Sequence, residues 1–414
     1  MRVGIFFDGM EIPPKSGIPY RFYNLSKVLA SKGVEVVIFL CDRFNADKEE
    51  LKKLPFEFHL LSPELAYYDY DLVKAVVKSA NVDIIQVDHV QTSLWFAARI
   101  SEELKIPLVT EMHDIDSRLK SSMGADESEI SLQRFLQYAS GQASDQVICV
   151  CPDDYKYLID LGIPRRKITI APNGVDSEYY SYSEPDLNSH KLVFLGNMFY
   201  PPNRTAAEYL VNVVMPKLPK EYTLTCVGMI DSQVCKDLSS ERVTFTGPVD
   251  DFRPYMRGAS FAVAPITQGS GMKVKMLNFA SLGVPIITTS EGVAGYPKEI
   301  AVVEDDIEKY GELIQSLSKN PKEMLKMSKR ARSIIEEMYG WDCIATKIIN
   351  AYKALHFHPK HNVAIDGICP KLFSKMATKN KINPKHVPLP IWLEDEERSR
   401  VYGVGKRTYE RLEK

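Results

Sequence analysis

The segment Thr267-Gln268-Gly269-Ser270-Gly271-Met272-Lys273-Val274-Lys275-Met276-Leu277 joins two glycines, two lysines and the start of an apolar helical pattern. It follows a buried-type apolar run at residues 260–265. Glycine lets a backbone approach a ligand closely because no Cβ intervenes. The first N–H groups of a helix lack intrahelical acceptors and can donate to an anion. Lys273 and Lys275 add two positive charges beside those donors. Such a group forms a cradle for a diphosphate, at the strand end where open α/β sheets bind ligands. An ordinary strand-to-helix loop, with glycines serving only the turn, fits the same window. The window alone does not separate the two.

A cradle of this kind needs a sheet and flanking helices to hold it. Short apolar runs alternate with longer helical patterns along the chain, which predicts mostly parallel sheets covered on both faces. In the first half, strands are expected at residues 2–7, 35–40, 84–87, 108–111, 146–150 and 167–170. Residues 19–32 carry Phe22, Leu25, Val28 and Leu29 at helical spacing, and Gly33 stands where a C-cap glycine belongs. Residues 94–104 and 132–143 also follow the helical period. A polar, serine-rich stretch at 181–189 then breaks the pattern and marks a domain boundary. Further strands are expected at 191–195, 223–227, 243–246, 261–264 and 285–288. Helices are expected near 204–214, 273–282, 307–318 and 321–338. Two open-sheet halves facing each other would make a ligand cleft.

Composition sets the limits. At 414 residues the chain is long for one core, so two domains are expected. A net charge of -2 gives no general pull toward nucleic acid or an anionic membrane. No run approaches the ~18 apolar residues of a membrane span. The first residues read as a buried strand, with no cleavage site of a signal peptide after them. The seven cysteines include no Cys-x-x-Cys pair, which points to reduced thiols and a cytoplasmic location. Residues 356–414 are basic, with lysine and arginine outnumbering aspartate and glutamate 12 to 7. His356, His358 and His361 lie there without acids or cysteines at a ligand spacing, so solvated polar residues are favoured over a metal site.

Read in order, several segments resemble the family-4 retaining glycosyltransferases, the group 1 glycosyl transferases. Pro13-Pro14-Lys15-Ser16-Gly17, then Tyr23-Asn24-Leu25 and Gly33-Val34-Glu35-Val36, look like that family's first glycine loop, helix and second strand. Val109-Thr110-Glu111-Met112-His113-Asp114 is similar to its strand-end histidine motif. Ile170-Ala171-Pro172-Asn173-Gly174-Val175-Asp176 is close to its signature before the interdomain linker. Gly196-Asn197-Met198-Phe199-Tyr200-Pro201-Pro202-Asn203 resembles a subgroup that opens its second domain with Gly-x-Met and Pro-Asn. Thr246-Gly247-Pro248-Val249-Asp250-Asp251 and the 269–285 region complete a match covering residues 1–355.

The resemblance implies an α/β GT-B fold, two Rossmann-like domains facing across a cleft. Residues 1–185 would form the acceptor-binding domain and residues 186–340 the nucleotide-sugar-binding domain. A helix at 341–355 would pack back toward the first domain, and 356–414 would be a basic extension of unassigned role. The implied activity is transfer of a sugar from a nucleotide diphosphate sugar, with retention at the anomeric carbon. The acceptor would be a glycan, a lipid-linked glycan, a protein or a modified nucleic acid. Peripheral contact with a membrane is compatible with such acceptors, and no obligate nucleic-acid partner is implied. His113 and Lys275 would be the catalytic residues. The donor would be held by Gly17, Arg204, Gly247, Val249, Gly269, Ser270, Gly271, Met272, Lys273 and Asn278. Ser16 and Asp114 would contact the acceptor. Two lysines and a helix N-terminus take the place of a divalent ion, so neither a metal nor a cofactor is expected.

Departures from the pattern qualify these assignments. The family's two glutamates, with seven residues between them, correspond to Ser270 and Asn278, so both carboxylates are missing. Asn197 replaces the usual arginine, Arg204 lies near the expected lysine, and Ile18 stands where a second loop glycine is common. These losses leave a second class open, a GT-B protein that binds a nucleotide sugar or a partner without turnover. A third, another enzyme on the same architecture, is less compatible. A phosphorylase would need a pyridoxal-phosphate lysine and a longer chain, and an epimerase acid–base carboxylates facing the sugar.

Overall fold

The computed structural model describes residues 1–7, 14, 17–42, 46–62 and 69–358. The Ser16 position and the tail beyond 358 lie outside the described residues. The first lobe is a seven-stranded parallel sheet in the order β3-β2-β1-β4-β5-β6-β7. Its strands are β1 (Arg2–Phe7), β2 (Glu35–Cys41), β3 (Glu57–Leu61), β4 (Ile84–Val87), β5 (Leu108–Met112), β6 (Gln146–Cys149) and β7 (Ile168–Ile170). The second lobe is a six-stranded parallel sheet in the order β10-β9-β8-β11-β12-β13. It contains β8 (Lys191–Leu195), β9 (Thr223–Val227), β10 (Val243–Phe245), β11 (Phe261–Ala264), β12 (Ile286–Thr288) and β13 (Val302–Val303).

The central strands are continuous apolar runs because helices cover both faces. In β2, Val36 through Cys41 are all buried. Both sheets reverse their strand order once, between β1 and β4 and between β8 and β11. Ligands of open α/β sheets bind outside the strand ends at such switch points. The helices after β1, β8 and β11 therefore start where a site is expected.

Each helix is placed by its apolar stripe. In Gly17–Ser31, Phe22, Leu25 and Leu29 are buried against the β1 and β2 side of the sheet. The chain leaves this helix through Gly33 at φ 84°, a left-handed turn suited to glycine. The helix Val274–Leu282 after β11 ends the same way at Gly283, φ 81°.

The chain crosses between lobes twice, and the crossings touch. Val175 N–H donates to Tyr339 O at 2.9 Å. Gly174 lies so close to Trp341 and Ile344 that any Cβ would collide with them. The helix Trp341–Lys353 then returns to the first lobe. Its Trp341, Ile344, Ile348 and Tyr352 join the core formed by Phe22, Leu25 and Leu29.

Candidate active site

The cleft between the lobes has a volume of about 300 Å³. Its first-lobe wall is built from Arg21, His113, Asp114 and Asn173. The second-lobe wall includes Tyr200, Asn203, Gly269, Ser270, Met272, Lys273 and Lys275. Each group sits where its strand ends. His113 follows β5, Tyr200 and Asn203 follow β8, and the glycine segment follows β11. The sequence motifs at 109–114 and 267–277 thus meet across one opening.

The helix Val274–Leu282 has no side-chain cap and no acid in its first turn. The N–H groups of Ser270, Gly271 and Met272 find no acceptor among the described residues. Ser270, Met272 and the first residues of the helix, its positive end, line the cleft. Gly271 has φ 64°, and a Cβ there would lie 2.8 Å from both Asp114 Oδ1 and His113 O. Glycine is therefore required both for the turn and for the approach of the lobes. Two residues of this loop line the cleft but already have partners. The amide of Gly269 is already engaged, donating to Ser122 Oγ of the first lobe at 3.1 Å. Lys273 Nζ pairs with Glu291 Oε1 and also reaches Gly271 O at 3.2 Å, so its charge is compensated within the lobe.

Lys275 differs from its neighbour. No acidic side chain among the described residues pairs with it, and its Nζ donates to Asn203 Oδ1 at 2.6 Å. It lies 4.4 Å over the Phe194 ring, a cation–π contact. Burial, reinforced by the charge of Lys273, pushes its pKa down to about 7. An ammonium held with so little compensation favours a bound anion as its counter-ion.

His113 is 7% exposed, and both of its ring nitrogens lack a hydrogen-bond partner. Its ring meets Phe22 edge-on at 5.3 Å. Burial, with smaller contributions from Arg21 and His89, holds its pKa well below the ordinary histidine value. The ring is thus a neutral imidazole whose polar atoms await partners in the cleft. Asp114 lines the cleft, its side chain still open to solvent there while protein crowds around it. Burial, followed by the charges of Asp116 and Asp154, raises its pKa to about 6. Ser270 Oγ lies 3.5 Å from Asp114 Oδ1, a marginal contact across the lobes.

Several assignments do not converge on this cleft. Arg204 turns to Glu208 at 2.9 Å and is half-exposed, so an intrahelical ion pair takes the guanidinium. Asn278 is half-buried one turn beyond Lys275 and is not among the cleft-lining residues. Gly247 and Val249 lie beyond the end of β10, where Gly247 O accepts from Gly228 N–H at 3.3 Å, and neither lines the cleft. Gly17 opens the helix after β1.

Other cleft residues had no assigned role. Tyr200 and Asn203 lay inside a recognised motif without a function. Arg21 is the larger omission, and its spacing held the signal. Residues 21, 25 and 29 fall on one helical face, so a charge at 21 must be buried along with Leu25 and Leu29. A buried arginine requires a partner. Arg21 Nε donates to Glu111 Oε1 at 2.8 Å, and its Nη2 to Ala171 O at 2.9 Å. Among the described residues, no cluster of histidine, cysteine or acidic side chains could hold a metal ion. No helix among them is long and apolar enough to cross a membrane.

Two parallel-sheet lobes with strand ends facing across such a cleft define a GT-B fold. Residues 15–179 match the profile of Glycosyltransferase Family 4, and residues 189–320 that of Glycosyl transferases group 1. The chain belongs to this glycosyltransferase family. An uncharacterized 44.6 kDa protein of the cps region of Klebsiella pneumoniae is 24% identical over 176 residues. That match takes in 39% of this chain and 45% of the relative, so it spans less than half of that protein. Sucrose-phosphate synthase from Thermosynechococcus elongatus is similar in structure, with TM-score 0.68 and 16% identity over 85% of this chain and 98% of that one. Anabaena HepE in complex with UDP-glucose gives 0.66 and 16% over 86% and 100% of the two chains.

Proposed function

We propose that this protein transfers a sugar from a nucleoside diphosphate sugar to an acceptor hydroxyl, with retention at the anomeric carbon and no divalent ion. The observation that carries this reading is Lys275, a half-buried amine without a carboxylate partner among the described residues, near the unengaged amides of Ser270, Gly271 and Met272. The Anabaena relative crystallised with UDP and with UDP-glucose supports a uridine diphosphate sugar as the first donor to test.

In this scheme the amides and Lys275 hold the diphosphate. Gly247 and Val249 border the nucleotide base. The bond from the anomeric carbon to the phosphate oxygen breaks as the acceptor oxygen bonds on the same face. The acceptor proton passes to the departing phosphate oxygen. Negative charge builds on that oxygen, and each fixed donor aimed at it contributes about 2.7–4 kcal/mol. His113 offers its two unpartnered nitrogens to hydroxyls of the transferred sugar. Asp114, a carboxylate above about pH 6, accepts a hydrogen bond from the acceptor hydroxyl.

The second reading is binding without turnover. The engagement of the Gly269 amide by Ser122 favours it, as do Ser270 and Asn278 in place of glutamates. Release of nucleoside diphosphate from a panel of nucleotide sugars, with and without candidate acceptors, tests both. Acceptor-dependent release with one donor is the expected result. Tight nucleotide binding with no release under any pairing would leave the second reading in place.

A further inference from the structure

Lys275 and Asn203 come from different strand ends. Asn203 lies in the helix Pro201–Tyr209 after β8, and Lys275 in the helix Val274–Leu282 after β11. The two strands are neighbours at the sheet's switch point, with Leu192 opposite Phe261 and Val193 opposite Ala262. Their following helices therefore start side by side, and Asn203 Oδ1 accepts from Lys275 Nζ at 2.6 Å.

The asparagine is held in one orientation. Its Nδ2 donates to Asn197 O at 2.9 Å, so Oδ1 must face the lysine. Gly196 presses on it from behind, since a Cβ there would stand 2.9 Å from Asn203 Cγ. An amide oxygen aligns an ammonium without cancelling its charge, whereas a carboxylate in the same place would cancel it.

The other charges around the cleft are already committed. Glu291 is taken by Lys273 and Glu111 by Arg21. Asp114 stands on the opposite wall against Ser270, and His113 is neutral. We propose that Asn203 is a positioning residue that aims Lys275 into the cleft while leaving its charge uncompensated, so that a diphosphate becomes its counter-ion. This rests on the nucleotide-binding reading above and extends it to selectivity for anionic over neutral ligands. It also sets an upper pH limit on capture. The free lysine loses its proton above about pH 7, so binding an anion there must take up a proton.

The test is calorimetric titration of UDP and uridine into wild type, Asn203→Asp and Asn203→Ala, between pH 6 and 9, in buffers of different ionisation heat. Wild type should bind UDP more weakly as pH rises above 7, with proton uptake. Asn203→Asp should weaken UDP about tenfold or more at pH 6.5 while leaving uridine nearly unchanged, because its carboxylate competes for the ammonium. The same change should move the pH break upward and remove proton uptake near pH 8. Asn203→Ala should not move the break upward. If UDP affinity and pH break are the same in wild type and Asn203→Asp, the proposal is wrong.

A ligand-free readout separates this from failure of the underlying reading. Labelling of Lys275 by an amine-directed reagent at pH 7.5, followed by mass spectrometry, should be faster in wild type than in Asn203→Asp. If wild type binds no UDP, the donor reading fails, and the labelling contrast still decides the role of Asn203. Equal labelling in the two proteins overturns it.

Discussion

Glu111 Oε1 lies 4.0 Å from His113 Nδ1 while accepting a 2.8 Å hydrogen bond from Arg21 Nε. The other carboxylate oxygen accepts from Gln86 at 2.9 Å, and Tyr352 of the returning helix donates to Gln86. One buried network thus anchors β4, β5, the first helix and the second lobe crossing beneath His113. Arg21→Gln would strand the Glu111 carboxylate, which is 0% exposed, at a cost of about 3–5 kcal/mol. Urea denaturation should show that loss, and Arg21→Lys should recover only part of it because an ammonium cannot reproduce the guanidinium fork. A loss below about 1 kcal/mol would mean that water enters and solvates the site.

His113→Ala should separate binding from chemistry. The ring lines the cleft but touches no group of the diphosphate cradle, so UDP affinity should stay nearly constant. Transfer should fall by about tenfold or more, because two fixed polar contacts to the reacting sugar are lost. The imidazole is neutral throughout the working range, so the pH dependence between 6 and 8 should survive the substitution. Parallel loss of UDP affinity and transfer would place His113 in the donor cradle instead.

Lys275 makes a signed prediction about stability. Its folded pKa of about 7 is below the ordinary 10.5. Between those values the unfolded chain holds more protons, so wild type gains stability as pH rises through that window. Below pH 7 both states are protonated and the full penalty of the buried charge stands. Lys275→Met should therefore melt higher than wild type at pH 6.5, by a margin that shrinks toward pH 10, while losing diphosphate binding. A variant that melts lower at pH 6.5 would show that the ammonium stabilises the ligand-free fold.

Transfer should persist in excess chelator. In the proposed scheme, Lys275, the amides and the helix N-terminus would stabilise the leaving phosphate, a task that a divalent ion can also perform. Loss of activity in chelator that returns on adding magnesium or manganese would contradict this.

Much of the fold was readable because its signals are local. The continuous apolar runs at β1, β2, β4, β5, β8, β9 and β11 have one stable placement, inside a covered parallel sheet. β3 was missed because its Glu57-Phe58-His59-Leu60-Leu61 is half-buried at a sheet edge and lacks such a run. The helices Tyr70–Ala80 and Pro152–Asp160 were missed although Asp69 and Cys151 cap them, since their apolar stripes are short. In the site, glycine spacing singled out a segment that lines the cleft, but spacing does not say which lysine is neutralised. That is decided by Glu291, which is distant in sequence and brought to Lys273 by the fold. Arg204 and Asn203 are adjacent in sequence, and only the phase of the helix decides which one faces the cleft.

Gly271 is the point where the lobes come closest to the chemistry, and it offers a controlled test of lobe spacing. Its φ of 64° makes any other residue strained, by about 1–2 kcal/mol. Its Cα faces His113 O and Asp114 Oδ1, so a methyl group there must also push the first lobe away. Gly258 has a similar φ of 70° but open space beside it, so Gly258→Ala carries only the backbone term. The difference between the two alanine variants isolates the steric effect across the cleft. Gly271→Ala should lower transfer by about tenfold or more beyond the Gly258→Ala control, because misplacing reacting groups by an ångström has that scale of effect. Small-angle scattering should show a more open molecule for Gly271→Ala alone. Equal activity and equal dimensions in the two variants would mean that the glycine serves the turn and nothing else.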